Sequence, residues 1–225
     1  MVTLSCAELS TREINQRLRE LKDGSQVVIT EPRGRHSLAV ALTNQIDVRI
    51  DGNAGYYIGG LGDGPDITIE GFVGWGVGEN LMSGTIRVHG NASESTGATA
   101  HGGLIVIEGD SSLRTGISLK GGTIAVAGNV GAMSAFMAQA GTLLVGGDAG
   151  QALGDSLYEA VVYVGGNISS LGSDARIEEL TETDVLRLKE LAAAAGFDHI
   201  EPENVKKVAS AKQLYNFDAV KAHKY

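Results

Sequence analysis

The sequence predicts an all-β protein: a right-handed parallel β-helix of seven 19-residue turns, with short helical caps at its N- and C-terminal ends. Three observations lead to this prediction. Glycines recur at a constant spacing, a short strand with alternating apolar residues precedes each of them, and glycine is abundant while proline is rare. Glycine accounts for 32 of the 225 residues, about twice its usual share of roughly 7%, against 3 prolines. This composition is typical of many tight turns between short strands.

The repeat has a fixed corner in which glycine is followed by Asn or Asp, with Phe72 as the one exception. The corner glycines are Gly52, Gly71, Gly90, Gly109, Gly128, Gly147 and Gly166, and the polar residues that follow them are Asn53, Asn91, Asp110, Asn129, Asp148 and Asn167. From each corner the pattern continues as G-x-x-G-x-x-x-G. Ala135 and Ser173 replace the third glycine, so we expect the fifth and seventh turns to be the least regular.

One such unit cannot bury its apolar face alone, so equal units must stack on one another. Parallel strands about 4.8 Å apart would give seven turns a stack of roughly 29 Å, and parallel crossovers are right-handed. Glycine, Asn and Asp tolerate a positive φ, which predicts a sharp turn at each corner. The aligned Asn and Asp side chains are interpreted as a structural ladder, since calcium-binding glycine–aspartate repeats have a shorter period and more aspartates.

Three regions are predicted: residues 1–45 cap the coil with a helix and strands, residues 46–175 form the coil, and residues 176–225 form a helix and tail. Ser10 and Glu13 form a capping box before a helix that should end at Gly24. The segment SLAVAL (37–42) is predicted to be a strand that leads into the coil.

The second capping box opens a helix near the C-terminus of the chain. It combines Thr181 with Asp184, and the helix should run to Ala195 and stop at Gly196. Leu186, Leu191 and Ala195 are predicted to lie on one side of this helix.

Several function classes are disfavoured by composition. A net charge of −9 argues against nucleic-acid binding, and no apolar run approaches the ~20 residues that a membrane span needs. The single cysteine excludes an internal disulfide, and the five histidines show no metal-ligand spacing. The N-terminus lacks the features of a signal peptide, so a cytoplasmic location is expected. The 19-residue period explains the glycine-rich strings, so we expect no catalytic, cofactor or metal site in this chain.

Apolar residues that interrupt the repeat are candidates for a protein interface. They would fill the core if they point inward and would form an exposed apolar patch if they point outward, and the sequence leaves both alternatives open. The candidates are Trp75, Met133, Phe136 and Met137 in the coil, and Tyr215 and Phe217 in the tail, which would anchor either on this chain's own coil or on a partner.

The repeats resemble the β-helix domain at the C-terminus of glutamate synthase large subunits, and related domains occur in the β-helical subunit of formylmethanofuran dehydrogenase. The flanks TREINQRLRELKDG, EPRGRHSLAVAL and KKVASAKQLYNF are similar to the stand-alone glutamate-synthase-type subunit of N-methylglutamate synthase from methylamine-using bacteria. The resemblance covers nearly the whole chain. It is specific for the fold and much less specific for the complex.

The resemblance implies a structural subunit of a hetero-oligomeric enzyme. In that family the β-helix contributes no catalytic residue and packs between the amidotransferase and synthase domains. The implied partners are a glutaminase-like (class II amidotransferase) subunit and a glutamate-synthase-like subunit that carries FMN and an iron–sulfur cluster. The implied transferase reaction converts glutamate and methylamine into N-methylglutamate and ammonia. The alternatives are a formylmethanofuran dehydrogenase-like complex and a stand-alone β-helical enzyme.

Overall fold

A computed structural model describes residues 1–212 as a parallel β-solenoid, which confirms the predicted fold class. Within these residues the strands form one sheet in the order β1 to β9, then β11 and β10. The strands are β1 (Val2–Ser5), β2 (Gln26–Thr30), β3 (Asp47–Ile50), β4 (Asp63–Ile69), β5 (Ser83–Val88), β6 (Leu104–Ile107), β7 (Lys120–Val126), β8 (Ala140–Val145), β9 (Val161–Val164), β10 (Ala175–Glu178) and β11 (Lys206–Ser210).

The strands pair in the register that the period predicts, because residues 19 apart lie next to each other in successive turns. We call such a set of stacked residues a column. Ile67, Ile86, Ile105 and Ile124 form one column on the inner face, and each is at most 1% exposed. β1 and β2 extend the same parallel sheet, so the N-terminal segment expected to cap the coil also contributes two strands to it.

The third motif glycine faces this isoleucine column. A Cβ added at Gly78 would lie 2.5 Å from Ile105 Cδ1, so a larger residue there would collide with the core. In the fifth turn Ala135 keeps the positive φ of this column, at +56°, and is buried. The neighbouring strand positions are Leu143 and Val162 instead of isoleucine. The fifth turn is therefore regular, contrary to expectation. In the seventh turn Ile168 still bridges to Ala149, and the chain then leaves the coil toward β10.

Most positive φ angles do not lie at the predicted glycine–Asn/Asp corner but at a second corner a few residues later in each turn. Three columns that begin at Tyr57, Gly59 and Leu61 adopt φ values near +60° in successive turns. Each residue is held by its neighbours, as when Tyr57 N donates to Trp75 O at 2.8 Å and Leu61 N donates to Glu79 O at 2.8 Å. Such hydrogen bonds between turns let non-glycine residues occupy the left-handed region.

The N-terminal helix α1 (Thr11–Arg19) begins with the predicted Ser10–Glu13 capping box. It ends at Arg19 rather than at Gly24, because Gly24 N donates to Gln45 O at 2.7 Å and so belongs to the turn before β2. The segment 37–42, predicted to be a strand, forms a corner instead.

This corner has the same backbone as those of the later turns. Ser37, Ala39 and Ala41 have φ values of 55°, 56° and 54°. Ser37 N donates to Tyr56 O at 2.7 Å, as the corner residues of the other turns donate to the turn that follows.

The C-terminal helix α2 (Glu182–Ala195) begins with the predicted Thr181–Asp184 capping box and ends at Gly196, whose φ is +78°. It covers the outer face of the sheet from β6 to β9. Of the three residues predicted to share one side of this helix, Leu186 is 64% exposed while Ala195 is buried, and Leu188 is buried as well. A short 3₁₀ helix (Pro202–Asn204) leads to β11, which pairs antiparallel with β9 and β10 and covers the last strand of the coil. The cluster beneath α2 contains Val106, Ala125, Leu144, Tyr163, Leu188, Ala192 and Ala195.

Candidate functional site

The Asn and Asp residues of the repeat form a ladder on the outside of the coil. In five of the six, all but Asn167 at the end of the ladder, the side-chain oxygen accepts a hydrogen bond from the backbone N–H of the residue one turn later. Asn91 Oδ1 accepts from Asp110 N at 2.9 Å and Asp110 Oδ1 accepts from Asn129 N at 2.7 Å. Asn53, Asn129 and Asp148 do the same toward Phe72, Asp148 and Asn167. The ladder ties turns together, and it has no acceptor at Phe72.

Five of the seven corner glycines face a ladder oxygen of the preceding turn, and a positive φ is not the reason for glycine at these five positions. Of the seven, only Gly52 has a φ in the left-handed range, at +133°. A Cβ at Gly109 would overlap Asn91 Oδ1, and one at Gly128 would overlap Asp110 Oδ1. The sequence-based reason, that glycine supplies a positive φ here, was therefore wrong. The glycine leaves space for the side-chain oxygen of the preceding turn.

An exposed group of rings lies where the first two turns meet. We call it the aromatic corner and define it as His36, Tyr56, Tyr57, Phe72 and Trp75. The His36 and Tyr56 rings stack with centroids 4.3 Å apart, and Tyr56 and Trp75 stack at 5.3 Å. Tyr56 N donates to His36 Nδ1 at 2.9 Å, which fixes the histidine ring in the stack. Phe72 is 55% exposed and Trp75 50%, so these side chains do not fill the core.

The other apolar interface candidates also lie on the outer surface of this edge of the coil. Met133 shares a column with Tyr57, and Met137 shares one with Leu61. Met137 is 49% exposed, whereas Met133 and Phe136 are half-buried. Trp75 and Met137 thus point outward, and apolar surface of this kind marks interaction sites. The two tail candidates, Tyr215 and Phe217, lie outside the described residues.

A column of charged residues runs along the outer end of β3 to β6. Asp51, Glu70, His89 and Glu108 are 19 residues apart and therefore stack. His89 Nδ1 lies 2.7 Å from Glu108 Oε2, and His89 Nε2 lies 3.8 Å from Glu70 Oε2. Burial alone would raise the pKa of Glu108, but hydrogen bonds from His89 and Arg87 outweigh it and hold that pKa below its usual value.

The charged column also fixes the end of α2. Arg87 Nη1 lies 3.1 Å from Glu108 Oε1 and donates to the carbonyl of Ala195 at 2.9 Å, where the negative end of the helix dipole lies. The sequence-based predictions include no role for Asp51, Glu70 or Glu108. The missed signal is their common 19-residue spacing with His89. Since each contact pairs a carboxylate with a basic side chain of a neighbouring turn, this column is a structural tie.

No family model matches the chain. Protein GlxC of Rhizobium meliloti (strain 1021) is 47% identical to it over 228 residues, a match that covers 100% of both chains. The chain belongs to the GlxC family. This membership fits the resemblance of its repeats to glutamate-synthase-like subunits.

Metal and thiol chemistry find little support in the part of this GlxC-family chain that the structure describes. Residues 1–212 contain no group of three or more His, Cys, Asp or Glu side chains placed to hold a metal ion. Cys6 is buried, and burial raises the pKa of its thiol, which disfavours the reactive thiolate. Within the same residues no helix is both long and apolar enough to cross a bilayer.

Among residues 1–212, nothing covers one outer face of the GlxC-family coil. α2 covers the outer face from β6 to β9, whereas the outer face of β2 to β4 carries a groove of about 560 Å³. Val28, Arg49, Thr68 and Glu70 line this groove. Arg49 lies 3.6 Å from Glu70, so the groove has paired charges and a mixed surface.

Proposed function

We propose that this chain is a non-catalytic assembly subunit of a multi-subunit glutamate-synthase-type enzyme. The aromatic corner carries the proposal. It places several exposed rings side by side on a backbone whose turns are hydrogen-bonded to one another. Exposed aromatic clusters are costly in water and are enriched in the cores of protein interfaces.

The rest of the described surface favours a scaffold over a catalyst. Glu70 and Glu108 each contact a cation, and the ladder oxygens accept from the backbone of the next turn. These groups are already engaged in holding turns together, so they are poorly placed to activate a substrate. A rigid coil with an apolar edge is suited to holding other subunits at a fixed distance.

The proposed complex is N-methylglutamate synthase or a close variant of it. Family membership supports a glutamate-synthase-like subunit, and the resemblance of the repeats and flanks supports this particular complex. The proposed partners are a glutaminase-like subunit and a glutamate-synthase-like subunit, and FMN and the iron–sulfur cluster belong to the latter. The proposed reaction forms N-methylglutamate and ammonia from glutamate and methylamine, on residues of those partners.

The test is purification of the tagged chain from its own cells, followed by mass spectrometry, an absorption spectrum and an N-methylglutamate assay. We expect two further subunits, a flavin and iron–sulfur spectrum, and activity in the complex. The separated chain should be colourless and inactive. A flavin spectrum or turnover in the pure chain would overturn the proposal, and a chain that purifies alone would remove its basis.

A further inference from the structure

A small pocket opens on the aromatic corner between the first and fourth turns. Its volume is about 290 Å³, and its walls include Tyr57, Trp75, Glu79, Thr99 and Ile117. The pocket therefore places two exposed aromatic rings and one carboxylate around a common space.

Gly76 lies at the base of this space and shows how close the groups are. A Cβ added at Gly76 would lie 3.0 Å from Glu79 Oε2 and 3.3 Å from two ring carbons of Tyr57. One atom at that point would thus contact a carboxylate oxygen and an aromatic ring together. Since glycine has no side chain, the space beside these two groups stays open.

The Glu79 carboxylate is the unusual member of the pocket. None of the hydrogen bonds or ion pairs formed within residues 1–212 involves its side-chain oxygens. Burial raises the pKa of Glu79 above its usual value, and no cation within residues 1–212 counters the effect. Glu70 and Glu108, by contrast, each have a cationic neighbour. Within residues 1–212, Glu79 is therefore a carboxylate beside aromatic rings whose negative charge no cation balances.

We propose that this pocket receives a lysine or arginine side chain of a partner subunit, with the cation paired to Glu79 and lying against Tyr57 and Trp75. The proposal rests on the proposed function, because it names the contact by which the assembly subunit is recognised. Cations are attracted both to a carboxylate and to aromatic faces, and tryptophan gives the strongest such attraction among aromatic side chains. The net charge of −9 also favours a basic partner surface.

A partner side chain fits this surface better than a free amine. Trp75 is 50% exposed and Tyr57 48%, and the stacked Tyr56 ring and Phe72 extend the exposed surface beyond the pocket. A small amine would leave these rings in water. A protein surface that carries the cation would cover them at the same time.

The chain offers its own reporter, because Trp75 is its only tryptophan. Tryptophan emission of the full chain is followed during titration with N-acetyl-arginine amide and N-acetyl-lysine amide, with the uncharged N-acetyl-citrulline amide as control. We expect a saturable change with the cationic probes only. Glu79→Gln should weaken it about tenfold, as expected when the charge-assisted hydrogen bond to the carboxylate is lost. Glu159→Gln, an exposed acid elsewhere on the coil, should leave it unchanged.

A second variant fills the pocket without changing charge. Gly76→Ala places a methyl group between Glu79 and Tyr57 and should also weaken probe binding about tenfold. The backbone accepts alanine here, since Ala152 occupies the same column with φ +55°. Gly116→Ala is the matched control, because its φ is +70° and its added methyl would lie 3.4 Å from Ile124, away from the pocket.

The same variants are then compared in the complex purified from its own cells. Glu79→Lys should reduce the fraction of chain that carries partners about tenfold, with Glu159→Lys as control. Equal probe responses in wild-type and Glu79→Gln chains would overturn the inference. Probe binding together with an unchanged complex of Glu79→Lys would show a small-amine site and overturn the partner contact. In either case a complex with its partners would leave the proposed function intact, whereas a wild-type chain without partners would remove both.

Discussion

Replacing Gly109 by alanine should destabilise the coil because the added methyl group meets the ladder. The Cβ would overlap Asn91 Oδ1 and lie 3.0 Å from Gly90 O. The φ of Gly109 is not positive, so the backbone itself accepts alanine. Displacing Asn91 removes its bond to Asp110 N, worth about 0.5–1.5 kcal/mol, and the backbone crowding adds about 1–3 kcal/mol.

The expected loss is therefore about 1.5–4.5 kcal/mol in the free energy of unfolding, measured by urea denaturation with circular dichroism. For a chain of this size, each kcal/mol lowers the melting temperature by about 2–4 °C. Gly90→Ala is the internal control, since Phe72 stands where a ladder oxygen would be and the added Cβ meets only backbone atoms, at 2.9–3.0 Å. Gly90→Ala should lower the free energy of unfolding by about 1 kcal/mol less than Gly109→Ala, because one such hydrogen bond is worth about that much.

A double-mutant cycle isolates the side-chain part of this effect. In an Asn91→Ala background the overlapping oxygen is gone, so Gly109→Ala should cost at least about 0.5 kcal/mol less than in the wild type. Strict additivity of the two changes, or a Gly90→Ala loss as large as that of Gly109→Ala, would refute the reasoning. Both results would mean that backbone crowding alone, and not the ladder, requires glycine at the corner.

The remaining predictions concern the core, the C-terminal helix and acid stability. Gly97→Ala should lower the free energy of unfolding, measured by urea denaturation, more than Gly116→Ala does. The methyl group at position 97 would collide with Ile124 Cδ1, whereas the methyl group at position 116 would lie in ordinary contact with it at 3.4 Å. Equal losses in the two variants would contradict this. Asp184→Asn should lower the free energy of unfolding by about 1.5–3 kcal/mol, because hydrogen bonds to a charged carboxylate are lost. Glu190→Gln is the control and should leave the free energy of unfolding unchanged. Burial would raise the pKa of Asp184, but hydrogen bonds from Thr181 and Tyr163 outweigh it and hold that pKa well below its usual value. The stability it contributes is present above about pH 4 and lost as the pH falls, so wild-type and Asp184→Asn stabilities should converge in acid melts. Parallel curves would contradict that assignment.

The 19-residue period predicted most of the fold. Because residues 19 apart had to stack, the sequence predicted the register that pairs Ile67 with Ile86, and it predicted both capping boxes. The same period also contained the charged column. That column was missed because it mixes residue types, and only the spacing of Glu70, His89 and Glu108 reveals it.

Other features depend on contacts that no local pattern shows. Positive φ at Tyr57 and Leu61 follows from hydrogen bonds to the next turn, which residue preferences oppose. The helix α2 has apolar residues on several sides, so periodicity did not separate buried Leu188 from exposed Leu186. The outward direction of Trp75 was likewise open in the sequence, because corner side chains do not alternate as strand side chains do.

The most direct test of the central claim is native mass spectrometry of the tagged chain from its own cells, comparing wild type with Trp75→Ser. The matched control is Leu186→Ser, which removes a more exposed apolar side chain from the C-terminal helix α2. We predict that wild type and control arrive with both partner subunits and that Trp75→Ser arrives depleted of them, with an unchanged urea midpoint. Equal recovery of partners in all three chains would contradict the claim that the aromatic corner is the assembly surface.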